Sequence, residues 1–363
     1  MDDHFYAVIM AGGGGTRLWP ISRKQTPKQL LRIIGDRSLF QLAIDRLQGL
    51  IKPDHILVVT VREQVAYLQN ECPEIPKQNF LIEPTPRGTA SVVGLAASYL
   101  KYFDKDAVMA VLTADHIIED VNLFHNLLTD GKIIADQKYL VTLGIKPTFP
   151  STGYGYIESE DILKLESSIQ PRRVKRFIEK PDEKKAEEFL KQGNYYWNSG
   201  MFIWRVDRII DEIKDQMPVL WETLDLIYAS MGTPAFKEIL KKTWDRITPQ
   251  TIDYGIMEHA TQVAMLPAIG LGWSDVGSWD SLFDFLNADE NGNVILSNNQ
   301  YVIESKNSLV KSVDVKRLIV TIGVNDLVIV DTPDALLVCK RGETQRVRQI
   351  VETLRKNNQQ EYL

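Results

Sequence analysis

The run Tyr6-Ala7-Val8-Ile9-Met10 passes through Ala11 into four consecutive glycines, Gly12, Gly13, Gly14 and Gly15, followed by Thr16 and Arg17. Five apolar residues suit a strand. Glycine lets the backbone take positive φ and bring its N–H groups against an anion with no Cβ in the way. The first two thirds of the chain keep the rhythm this opening sets. Residues 55–60, 80–82 and 107–112 are further strand-length apolar runs, and 39–50, 63–70 and 90–102 between them carry helical spacing. The unbroken apolar run 107–112 suits a strand covered on both faces. Strand, helix, strand in this order predicts βαβ units with right-handed crossovers. The expected fold is α/β, with a Rossmann-like, mixed but mostly parallel sheet flanked by helices.

The glycine loop fits neither of two well-known phosphate loops. A GxGxxG pattern begun at Gly12 or Gly13 meets Arg17 or Leu18 where glycine is needed, and no Gly-Lys-Ser/Thr occurs in this loop. Glycine enrichment alone is equally compatible with a plain turn. The next residues of the chain narrow the choice: Arg17, Arg23, Lys24 and the sequence Pro27-Lys28-Gln29-Leu30 place cations just after the exposed amides. A triphosphate requires such neutralisation, although Arg23 and Lys24 also suit a solvated loop. Pro20 and Pro27 oppose helix continuation and hold the stretch as a shaped loop.

Beyond about residue 290 short strands at 301–303, 308–310, 318–320, 327–330 and 335–338 follow one another without helices, and 344–356 reads as a terminal helix. This predicts a small β-rich C-terminal domain, for which a few coils of a left-handed β-helix are one form, ending in a helix. The domain boundary is set at 285/286, dividing a catalytic domain 1–285 from 286–363. The β appendage either mediates a homodimer or covers one end of the main sheet. The chain has 48 acidic and 42 basic residues, a net charge of −6. That balance disfavours a broad nucleic-acid surface. No apolar stretch reaches the ~20 residues a bilayer span needs, and the N-terminus lacks a secretory layout, so a cytoplasmic protein with no membrane partner is expected. Cys72 and Cys339 are far apart and the five histidines show no paired spacing, which argues against zinc and disulfides.

The segment 11–20 together with Pro27-Lys28-Gln29 resembles the signature of the sugar-nucleotide pyrophosphorylases, which have the nucleotide-diphospho-sugar transferase fold, and further matches extend over about residues 6–285. Trp19 and Pro27-Lys28-Gln29 are most similar to the members acting on mannose and guanine. The resemblance implies a nucleotidyltransferase that joins GTP and mannose 1-phosphate, its small-molecule substrates, into GDP-mannose and pyrophosphate. Arg17, Lys28 and Lys180 are then the catalytic cations. Ala11, the four glycines, Thr16, Glu83, Pro86, Arg87, Gly88, Thr89 and Asp115 are the nucleotide site. Tyr154, Gly155, Glu179, Lys180 and Asn198 are the sugar-phosphate site. Asp253, in a further matching segment, has a supporting role.

Asp115 ends a buried strand, where α/β sheets bind ligands. The resemblance makes it and Asp275 ligands of Mg²⁺, and two carboxylates completed by phosphate oxygens and water suit that ion. One departure stands out: related enzymes usually carry Asn where this chain has Gly88, and Ala-Pro where it has Ala90-Ser91. The alternatives are the same reaction on glucose 1-phosphate with UTP, dTTP or ATP, and a silent regulatory subunit that binds sugar nucleotide. Some relatives carry a fused isomerase domain, and no isomerase activity is expected here.

Overall fold

A computed structural model describes residues 3–13, 15–297, 299–314 and 316–363. By compactness the chain forms two bodies, each assembled from separated segments. The first comprises Met1–Gly12, Ile44–Ala114 and Ile118–Trp273; the second comprises Gly13–Ala43, Asp115–Ile117 and Ser274–Leu363. The sequence reading cuts the chain once, at 285/286, whereas packing groups the glycine loop's continuation with the C-terminal residues. The reason is a shared apolar core: Leu18, Trp19, Ile33 and Leu39 bury against the same cluster as Val294, Leu309, Val328 and Val351.

In the first body a nine-stranded sheet runs in the order Phe80–Glu83, Ile56–Val61, Phe5–Ala11, Val108–Thr113, Tyr195–Arg205, Leu140–Ile145, Val263–Pro267, Arg172–Ile178, Tyr156–Ile162. The first four of these strands are mutually parallel, with Ala7 against Ile56 and Ala110. Tyr195–Arg205 runs antiparallel between Val108–Thr113 and Leu140–Ile145. The sheet is therefore mixed: its first four strands are parallel, as the alternating runs predict, and Val263–Pro267 is parallel to Leu140–Ile145, whereas Arg172–Ile178 and Tyr156–Ile162 pair antiparallel with their neighbours. Strand and helix choices follow the residues: Ile56–Val61 is β-branched and apolar, while Thr89–Phe103 buries Ala90, Val93, Ala96, Ala97 and Leu100 at helical spacing. The parallel strands end on Ala11 and Glu83 at the same carboxyl edge, with Ile56–Val61 between them.

The predicted helix over 39–50 is shorter in the structure. Regular helix covers Leu39–Asp45, after which Leu47 and Gln48 donate backbone hydrogen bonds three residues back, to Ile44 and Asp45. The apolar spacing continues through a tightened turn, because three-residue and four-residue periods bury the same side chains over so short a stretch.

The C-terminal strands of the second body form a solenoid. Val294–Leu296, Leu309–Ser312 and Leu327–Asp331 pair in parallel, while the intervening Gln300–Ile303 and Ile319–Ile322 pair in parallel in a separate sheet. Each strand thus stacks on the one a coil later. Leu336–Lys340 turns back antiparallel on Leu327–Asp331, and the helix Val347–Lys356 buries Val347 and Val351.

Candidate active site

Within the second body the glycine loop and the Pro-Lys-Gln segment meet. Gly15 adopts φ +57°, and a Cβ there would lie 2.4 Å from Cβ of Lys28, so only glycine lets the two segments pack. Gly15 also precedes the short 3₁₀ turn Thr16–Leu18. Lys28 opens a second such turn, Lys28–Leu30, and its ammonium donates to Asp115 Oδ2 at 2.8 Å and to the backbone carbonyl of Asp275. Burial would raise the Asp115 carboxyl, but the Lys28 ammonium and, less strongly, His116 hold it below the ordinary aspartate value. Asp275 accepts from the Gly277 amide at 2.9 Å. Lys28, Asp115 and Asp275, far apart in sequence, therefore come together. Arg17 is exposed on the Thr16–Leu18 turn. Gly14 lies outside the described residues.

The carboxyl edge of the first body holds Glu83. Its side chain is 3 % exposed, one carboxylate oxygen has no partner among the described residues, and Gly12 passes close enough that a Cβ would lie 3.6 Å from the other. Burial pushes the Glu83 carboxyl up to about 7, with the Arg87 amide pulling it back only partly. A buried acceptor of this kind suits a ligand with N–H donors.

Residues 85–90 continue as a turn clamped to 244–252. Trp244 Nε1 donates to Thr85 O at 2.7 Å, Arg87 pairs with Asp245 at 2.6 Å, and the Ala90 amide donates to Gln250 O at 3.2 Å. Thr89 Oγ1 accepts from the Ile252 amide at 2.8 Å, and Pro86 is exposed. Gly88 has φ +85° and a Cβ there would meet Gln250 O at 2.2 Å. An asparagine at 88 has no room in this arrangement, which accounts physically for the departure at that position. Arg87's charge is already matched by Asp245, so its guanidinium is a strut of the turn.

A second cluster of the first body gathers Gly155, Glu179, Lys180, Asn198 and Asp253. The Asn198 amide donates to Gly155 O at 2.8 Å, its Nδ2 donates to Asp253 Oδ1 at 2.6 Å, and its Oδ1 accepts from the Gly200 amide at 3.0 Å. The strand Arg172–Ile178 stops just before Glu179, and Lys180 takes φ +40°. This break frees the two neighbours from pointing to opposite faces. A Cβ on Gly155 would lie 2.9 Å from Glu179 Oε2, an oxygen that is buried and unpartnered among the described residues. Burial raises the Glu179 carboxyl, offset by Lys180 and reinforced by Asp253 and Glu258. Tyr154 packs edge-on to Trp197 and Trp273, with ring centroids 4.9 and 5.4 Å away. Asp253, given only a supporting role by the sequence, fixes the orientation of Asn198. It opens a π-helical turn, Asp253–Met257, a distortion common at functional sites. Apolar periodicity carries no signal for such a turn.

Comparison with known proteins places these features in a family. The nucleotidyl transferase family matches residues 6–292, and the MannoseP isomerase/GMP-like beta-helix domain matches residues 298–354. The chain is 39 % identical over 98 % of its length to a mannose-1-phosphate guanylyltransferase of Klebsiella pneumoniae, spanning 75 % of that protein. It is 38 % identical to the alginate biosynthesis protein AlgA of Pseudomonas fluorescens, over 96 % of this chain and 71 % of that one. Among solved structures, one described as a mannose-1-phosphate geranyltransferase from Thermus thermophilus superposes with a TM-score of 0.86 at 29 % identity, covering 97 % of this chain and 99 % of that one. The chain therefore belongs to the nucleotidyl transferase family and, within it, to the mannose-1-phosphate guanylyltransferases.

Proposed function

We propose that the chain transfers the guanylyl group of GTP to mannose 1-phosphate. A phosphate oxygen of the sugar phosphate bonds to the α-phosphorus, the bond from that phosphorus to the bridging oxygen of the β-phosphate breaks, and pyrophosphate leaves with the electron pair. The attacking oxygen is ionised at neutral pH, so no general base is needed, and catalysis rests on holding two anions together and stabilising charge at phosphorus. The observation that carries this reading is the Lys28 ammonium held at Asp115 Oδ2 and Asp275 O. Lys28, Arg17 and the amides of the glycine loop serve the triphosphate; Glu83 accepts from guanine N1–H and N2–H₂; Lys180 serves the sugar phosphate, and Glu179 and Asn198 its hydroxyls.

The same oxygen site suits a divalent cation: it already accommodates a lysine ammonium, and its donors are hard oxygens of Asp115 and Asp275. Mg²⁺ held there would neutralise phosphate charge. Among the described residues no group of three or more His, Cys, Asp or Glu forms a metal cage. Among the described residues no helix is long and apolar enough to cross a membrane, and the proposed place of action is the cytoplasm. The test is pyrophosphate release by the purified chain, with GTP, UTP, dTTP and ATP each offered mannose 1-phosphate and glucose 1-phosphate, with and without Mg²⁺. Release with GTP and mannose 1-phosphate above all other pairs is expected. Silence with every pair overturns the reading in favour of a binding subunit.

A further inference from the structure

Apart from these clusters, the second body holds a cavity of about 1040 Å³, walled by residues 20–36, by coils of the solenoid and by residues 360–363. Its floor is apolar, with Ile21, Leu31 and Ile33 buried and Leu296 beside them. Set into the wall on the strand Leu309–Ser312 is Lys311, half-buried. Among the described residues its ammonium has neither a hydrogen bond nor an ion pair. The other cations of the wall are engaged. Arg23 donates to Pro20 O at 2.6 Å and to Asp334 Oδ1 at 2.9 Å, and Arg32 Nε donates to Asp36 O at 2.8 Å. The acids that line the cavity leave Lys311 uncompensated: burial alone acts on it, pushing its pKa below the usual lysine value. An ammonium withdrawn from water without a counter-charge is costly, and a cavity beside it gives an anion room to supply one.

We propose that this cavity binds a small organic anion, with its phosphate or carboxylate on Lys311 and its apolar body on Ile21, Leu31, Ile33 and Leu296. The site is not the one assigned to the nucleotide. It is linked to it through one turn, since Leu30 lines the cavity and Lys28 begins the same Lys28–Leu30 turn. Occupancy is therefore expected to change the affinity for GTP, a coupling that rests on the function proposed above; the binding itself does not.

Phenyl phosphate and benzoate are suitable probes, titrated calorimetrically into the full chain, into Lys311→Met, Lys311→Arg and Lys28→Ala. Saturable binding of one or both probes is expected in the wild type and in Lys28→Ala, with at least about tenfold weakening in Lys311→Met, the loss of one charged hydrogen bond. Lys311→Arg should restore it. The preferred probe identifies the anionic group. Without ligand, Lys311→Met should melt no lower than the wild type, because it removes an uncompensated charge; a large drop in Tm would mean that Lys311 is paired, and would overturn the proposal. So would binding of neither probe at about 10 mM, well above a millimolar Kd, or binding abolished by Lys28→Ala, which would put the probe at the nucleotide site. An unchanged GTP affinity at saturating probe overturns the coupling.

Discussion

Lys28 is held by two oxygens, a side-chain carboxylate and a backbone carbonyl, and its removal separates chemistry from folding. Lys28→Ala should lower kcat by about 10²–10³-fold, as loss of one preorganised charge does, while Tm moves by only a few degrees; pyrophosphate release and a melting curve measure the two. Glu83 gives a pH-dependent counterpart. Its folded pKa of about 7 lies above the ordinary value of 4.5. Below pH 4.5 the group is protonated in both states. As pH rises toward 7 the unfolded chain releases the proton first, so stability falls, and the penalty, of the order of 3 kcal/mol, is complete above about 7. In the proposed function ligand binding runs the other way, because an ionised Glu83 would accept from both guanine donors. The KM for GTP should therefore fall as pH rises through about 7. Glu83→Gln should flatten both profiles and raise the KM for GTP by about 10–100-fold at pH 8, the worth of a charged hydrogen bond.

At the scale of elements, the turn 85–90 and the glycine loop each depend on one residue without a side chain. Gly88→Asn should destabilise the chain by about 2 kcal/mol or more through its positive φ and its encounter with Gln250 O; urea unfolding checks this. Gly15→Ala should instead displace Lys28 and cost turnover more than stability. Both the parallel strands and the solenoid were readable from the chain, since runs such as 107–112 are apolar without interruption and the later short strands recur between polar turns. The cluster around Asn198 was less legible. Glu179, Lys180 and Asn198 came from a resemblance, and the role of Asp253 needed the Asn198 hydrogen bond to be seen. The clamp of Gln250 on Gly88 had no trace in the sequence, because it is made by backbone atoms that any residue carries.

On the scale of the whole molecule, the segments of the second body share one apolar core, so the C-terminal residues are structural partners of the segment that follows the glycine loop. A chain truncated after residue 286 loses Val294, Leu309, Val328 and Val351, against which Leu18, Trp19 and Ile33 are buried. It should lose GTP binding and expose residues 16–33 to protease, even if the nine-stranded sheet survives. Retention of activity by that fragment would show that the solenoid is dispensable. The core's discontinuity also bears on synthesis at the ribosome. Trp19 and Leu18 emerge among the first residues made, yet the side chains that shelter them are translated more than two hundred residues later. The nascent polypeptide must keep that greasy loop unaggregated for most of its elongation.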